Sequence, residues 1–196
     1  KAATPLPGLF AAGECACVSL NGANRLGSNS LVELLVFGKS AALSAIAHLQ
    51  SLPAANTAAL DARANESQAR IRELFSRTDG TESMSGLRKE MMDTMEKNAG
   101  IYRNEAGLQE AVSKIAELRQ RYQKVVLNDK SNVFNTDLFQ VLELGSMLDC
   151  AEALTVGALA RKESRGAHQR LDYTERDDAK YLRHSMVYYQ GLAAPR

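Results

Sequence analysis

The sequence predicts a mainly α chain, an antiparallel helical bundle preceded by one strand, one loop and one long helix. Three observations carry this expectation. After Pro53, apolar residues recur at helical spacing of three and four along most of the chain. The connections between these periodic stretches are short, as between neighbours in a bundle. The residues before Pro53 differ in kind, with a short apolar run, a loop rich in small residues and Asn, and an apolar helix. These shifts divide the chain at 1–52, 53–165 and 166–196.

The first element is Leu9-Phe10-Ala11-Ala12, read as a buried strand that turns at Gly13-Glu14. A helix from about Ser30 to Gln50 follows the loop, with Asn29 or Ser30 as its N-cap. Leu31, Leu34, Leu35, Phe37, Leu43 and Ile46 cover most of its circumference, so it should be largely buried. Glu33, Lys39, Ser40, Ser44 and His48 interrupt it, which argues against a membrane span.

Four helices are expected in the bundle. Leu60, Ala64, Ser67, Ile71 and Leu74 mark one face of the first, which breaks at Thr78-Asp79-Gly80-Thr81. Leu87, Met91 and Met95 mark the second, closed by Asn98-Ala99-Gly100. Met91, Met92 and Met95 are gap-filling rather than metal-binding. Leu108, Val112, Ile115, Leu118 and Tyr122 mark the third, which should end at Asn128-Asp129. Asn135-Thr136-Asp137 caps a long fourth helix with the stripe Leu138, Val141, Gly145, Leu148, Val156 and Leu159. Glu152 falls inside that stripe. A carboxylate there requires an ion-pair partner or an edge position that reaches water. Leu182 to Tyr189 has a strand-like composition.

Lys plus Arg is 24 and Asp plus Glu is 23, a net charge of +1. That balance gives no charge excess to coat nucleic acid or an anionic membrane. Three cysteines cannot form a fully paired disulfide framework, and with three histidines no metal site is expected. The chain opens without Met or a signal peptide, in the approach to a strand, and reads as a piece of something larger.

The chemistry concentrates in the loop. Gly22 to Gly27 is G-x-x-x-x-G, without the Lys-Ser/Thr of a P-loop, and no G-x-G-x-x-G occurs in the chain. Arg25 lies in this loop, just before the helix. A guanidinium fork and the N–H groups of a helix N-terminus together suit an anion, a carboxylate above all. The alternative is a loop arginine tied to a neighbouring carbonyl. Glu14, after a strand and a glycine, can accept hydrogen bonds from sugar or polyol hydroxyls.

Pro7 to Glu14, Asn21-Gly22-Ala23-Asn24-Arg25-Leu26-Gly27-Ser28-Asn29-Ser30-Leu31 and Val36-Phe37-Gly38 resemble the flavoprotein subunit of succinate dehydrogenase and fumarate reductase. So do Val133-Phe134-Asn135-Thr136-Asp137, Ala160 to His168 and Glu175-Arg176-Asp177-Asp178. The resemblance covers essentially the whole chain. It implies that 1–52 is the last strand–loop–helix of an α/β FAD-binding domain, followed by a helical domain (53–165) and a C-terminal extension (166–196). It implies that Glu14 binds the ribityl or ribose region of FAD. Ser30 and Leu31 would lie at the flavin ring, and Arg25 would hold a carboxylate of the dicarboxylate substrate.

Asn21 stands where the family often has His, and an amide cannot titrate near neutral pH, so no acid–base role is assigned to it. Arg165 and His168 belong to a family-like motif, as structural or site-lining residues. The family's proton donor, an arginine, and its histidine for covalent flavin attachment lie upstream, so no catalytic residue is expected here. The implied partners are an iron–sulfur subunit and membrane-anchor subunits. The implied location is the cytoplasmic side of a bacterial inner membrane, or the mitochondrial matrix side. L-aspartate oxidase has a similar loop, but Gln169-Arg170-Leu171-Asp172 and Glu175-Arg176-Asp177-Asp178 favour the succinate/fumarate enzyme. A separate alternative is a helical interaction or scaffold module without activity.

Overall fold

A computed structural model describes every residue except 1, 22, 23, 25, 26, 55 and 191–196. The chain forms two compact units, Lys1–Ala58 with Arg165–Ala167, and Ala59–Ser164 with His168–Arg196.

The first unit is built on α1 (Asn29–Leu49). The expected strand at Leu9–Ala12 is reduced to one antiparallel bridge, Ala3 to Phe10. The N-cap is Ser28, not Asn29 or Ser30. It has a left-handed backbone (φ 66°), and its side chain makes no capping hydrogen bond. The expectation of a largely buried helix is not met either. Glu33 is the buried residue of α1, while Leu35 is 76% exposed and Leu31, Leu34, Leu43 and Ile46 are exposed as well.

The physical reason is a shortage of partners. What packs on α1 comes from the preceding segment, with Phe10 edge-on to His48 at 6.0 Å and Gly13 against Leu34. Gly13 has φ +83°, a left-handed backbone that favours glycine, and it packs directly against the Leu34 side chain. By length and composition α1 is the described helix long and apolar enough to cross a membrane. Its buried Glu33 and its Lys39 would each oppose that by about 2.5–3.5 kcal/mol at a helix centre.

The second unit is the predicted helical bundle. It contains most of α2 (Thr57–Ser76), then α3 (Met84–Ala99), α4 (Glu105–Tyr122) and α5 (Thr136–Ala160). The last three start on the caps that Ser and Asn supply. Ser83 accepts from the Gly86 N–H, Asn104 from Gly107 and Asn135 from Leu138. The three helices pack on one another. Leu87, Met91, Ile115, Leu118, Val141, Leu144 and Leu148 form the core. Gly100 follows α3, but with φ −68° it is not a left-handed cap.

Several details depart from expectation. Leu74 is the buried residue of α2, with Phe75 half-buried against the same core, while Leu60 and Ala64 of the predicted face are exposed. α4 ends at Tyr122 rather than Asn128, and the Tyr122 hydroxyl donates to the Val141 carbonyl at 2.9 Å. After Leu148 the buried face of α5 runs through Ala151, Thr155 and Ala158, one residue off the Val156 and Leu159 of the predicted stripe. A two-residue parallel pair, β1 (Tyr102–Arg103) with β2 (Gln169–Arg170), has no sequence signature. α6 (Asp178–Tyr181) is followed by chain without regular structure, not by a strand over Leu182–Tyr189. Arg161 takes the place of a ladder there. It donates to the carbonyls of Tyr181 (3.0 Å) and Arg183 (2.6 Å), and to the Ser185 hydroxyl.

Candidate functional site

The sequence of the first unit folds around a cavity of about 320 Å³. The turn after Gly13 supplies Glu14, Cys15 and Cys17, the chain toward the loop supplies Asn21 and Asn24, and the start of α1 supplies Ser30 and Glu33. Glu14 and Ser30, named from sequence, therefore share one cavity. Leu31, the next residue on α1, is exposed and is not among its lining residues. Arg25 lies outside the described residues.

Two carboxylates, two amides and the Ser19 and Ser30 hydroxyls make a polar, acid-bearing wall, with no cation among the described lining residues. Such a wall suits hydroxyl and amide groups better than a bare dianion. The α1 N-terminus, which lacks a side-chain cap from Ser28, adds oriented N–H groups at the same place. Asn21 Nδ2 donates to Glu33 Oε2 at 3.2 Å. The sequence signal for Glu33 was present, as a lone acid in the apolar helix, the same pattern that singled out Glu152.

The second charged cluster holds the turn after α5. Arg170 is fully buried. Its guanidinium bonds Asp172 and Glu105 and donates to the carbonyls of Ala158, Leu159 and Arg161. Asp172 falls to about 2, chiefly through its bond to Arg170. His168 is buried between Arg103 and Arg161. Because a guanidinium only donates, Nδ1 accepts from Arg103 at 2.9 Å and Nε2–H donates to the Arg161 carbonyl at 3.0 Å. Burial, foremost, and the surrounding guanidiniums keep this imidazole below its ordinary pKa.

Here His168 joins β2 to α5 as a neutral group. Arg165 groups with the first unit and is half-buried. Glu152 has its partner in Arg119, which also pairs with Asp149 at 3.0 Å. Burial pushes the Glu152 carboxyl up, against the pull of Arg119. No group of three or more metal-ligating side chains occurs among the described residues.

Residues 88–195 match the family pattern described as the fumarate reductase flavoprotein C-terminus, more than half of the chain. The chain belongs to the fumarate reductase flavoprotein family. Residues 1–31 match an FAD-binding domain. The chain is 50% identical over 193 residues to a fumarate reductase flavoprotein subunit of Haemophilus influenzae, covering 98% of this chain and 32% of that one. It is 38% identical over 193 residues to a succinate dehydrogenase flavoprotein subunit of Coxiella burnetii, covering 97% and 32%. A solved quinol–fumarate reductase with menaquinol molecules superposes with a TM-score of 0.92 at 46% identity, over 97% of this chain and 33% of that one. The chain thus spans about a third of the length of these relatives.

Proposed function

We propose that this chain forms the flavin-edge and substrate-carboxylate part of an FAD-dependent oxidoreductase that interconverts succinate and fumarate. One observation supports it above the rest: Glu14 and Ser30 line one polar cavity at the N-terminus of α1, where the Ser28 side chain makes no capping hydrogen bond. At about 320 Å³ the cavity is near the lower end of small-molecule sites, with room for a part of a dinucleotide.

FAD, when bound, supplies the hydride acceptor or donor. The residues of this chain bind and orient. Glu14 accepts hydrogen bonds from ribityl or ribose hydroxyls. Ser30 and Leu31 belong to the first turn of α1, whose N–H groups stabilise negative charge by roughly 0.3–1 kcal/mol, and up to about 2 when partly buried. Arg25 holds a substrate carboxylate through its two-pronged fork. Arg165 and His168 serve the turn after α5. In this reading 1–52 completes an FAD-binding domain, 53–165 is the helical domain and 166–196 an extension. The complete protein would pass electrons to an iron–sulfur subunit. It would sit peripherally, through anchor subunits, on the cytoplasmic side of the inner membrane. Greater identity to the fumarate reductase relative supports that branch of the family.

The test is Arg25→Ala in the complete polypeptide. Loss of a charged hydrogen bond worth roughly 1.5–3 kcal/mol should lower kcat/KM for succinate at least about tenfold. Flavin content should stay full, and Arg25→Lys should rescue little. Wild-type kinetics in Arg25→Ala would assign the carboxylate to another group.

A further inference from the structure

We infer that Cys15 and Cys17 form a modification site, a pair of thiols that a small uncharged electrophile alkylates in the flavin-free protein and that bound FAD shields. The inference rests on the reading of the first unit's cavity as part of the FAD site.

The chain has three cysteines, and all of them are exposed. Cys15 and Cys17 line the cavity together with Glu14 and Ser30. Cys150 lies on α5 and is not among the lining residues. The Cys15 thiol donates to the Ala12 carbonyl at 3.6 Å, across the turn at Gly13. Glu14 directly precedes this C-x-C run, so a ligand that bonds the Glu14 carboxylate lies beside both sulfurs.

The wall selects the reagent. It bears the Glu14 and Glu33 carboxylates and no cation among its described lining residues, so it disfavours an anion. An uncharged α,β-unsaturated carbonyl meets no such barrier. The thiolate is the reacting form, and access decides which thiols are reached. It adds to the β carbon. An S–C bond forms, the C=C π bond breaks, and the proton that left the thiol ends on the α carbon. No oxidant is consumed. The thioether then fills part of a cavity of about 320 Å³, and the ribityl or ribose group loses that space. Two occupants of one space exclude each other reciprocally, so the cofactor that is blocked by the adduct also protects against it.

The experiment treats the complete polypeptide with N-ethylmaleimide, with and without FAD, and reads each cysteine by peptide mass spectrometry. FAD at about ten times its Kd or more should slow alkylation of Cys15 and Cys17 at least about tenfold, and that of Cys150 less than about twofold. Alkylation of the flavin-free form should then lower FAD uptake at least about tenfold. In a Cys15→Ser, Cys17→Ser double variant the same treatment should lower uptake less than about twofold, relative to its own untreated sample. Equal alkylation of Cys15 and Cys17 with and without FAD overturns the inference. So does full FAD uptake after alkylation, or a double variant blocked as fully as wild type. Glu14→Ala separates the two readings. Weakened FAD binding in that variant keeps the cofactor reading when the thiol inference fails, and wild-type binding removes both. Where the flavin-free form does not stay folded, Cys17→Phe is compared with Cys17→Ser in the flavoprotein as isolated. The larger side chain should lower flavin content per folded protein at least about fivefold, and equal content overturns the inference.

Discussion

Helices α1 and α4 are of similar length, 21 and 18 residues, and meet the rest of the chain in opposite ways. α4 carries charge on one side and buries Leu108, Ala111, Ile115 and Leu118 on the other. One layer of neighbours completes such a helix, and α3 and α5 provide it. α1 is apolar nearly all round and needs partners on every side. The segment before it covers little more than the surface around Gly13, Asn21 and His48. Apolarity therefore tells that a helix is to be covered. Sidedness tells whether one neighbouring layer can do it, and in a chain spanning about a third of its relatives' length the two questions separate.

The largest test of this contrast lies in the bundle unit, where a charge is as deeply buried as the core. Arg170→Met removes the guanidinium that Glu105, Asp172 and three carbonyls share. Stability to urea should fall by about 3–5 kcal/mol. A loss under about 1 kcal/mol would show that water replaces the guanidinium there.

Next comes a matched pair. Leu148→Ala, in the α5 core, should cost about 2–5 kcal/mol. Leu35→Ala, on the exposed surface of α1, should cost less than about 0.5 kcal/mol in this chain. Equal losses would mean that α1 is covered after all.

The smallest effect is a slope with pH. His168 titrates below its ordinary value when folded, so below about pH 6.5 the unfolded chain binds the extra proton. Its contribution is complete above that pH and declines as pH falls through it. The melting temperature of the wild type should drop from about pH 7.5 to about pH 5.5 by more than that of His168→Gln. Parallel curves would assign the slope to other groups.

Legibility followed the same divide. The heptad-like face of α4, the Asn135 cap and the need of Glu152 for a partner were readable, because each is set within a few residues. That the partner is Arg119, thirty-three positions away, was not, since one arginine on a helix looks like another. Arg170 stands in the family-like run Gln169-Arg170-Leu171-Asp172, whose sequence carries no sign of burial. Its burial depends on the β1–β2 pairing, which leaves no trace in two-residue strands. At the site, Glu14 and Ser30 could be named separately from their neighbours in sequence. That they share a cavity with Glu33 depends on the turn at Gly13, a matter of tertiary packing.

The grip of Arg161 on residues 181–185 bears on how that stretch can change over generations. It holds main-chain oxygens of Tyr181 and Arg183 and the Ser185 hydroxyl, and its guanidinium lies 5.4 Å from the centre of the Tyr181 ring. A substitution at exposed Leu182 leaves those oxygens in place. Insertion or deletion of a single residue moves them out of reach. The stretch therefore tolerates a change of side chain at Leu182 better than any change of length.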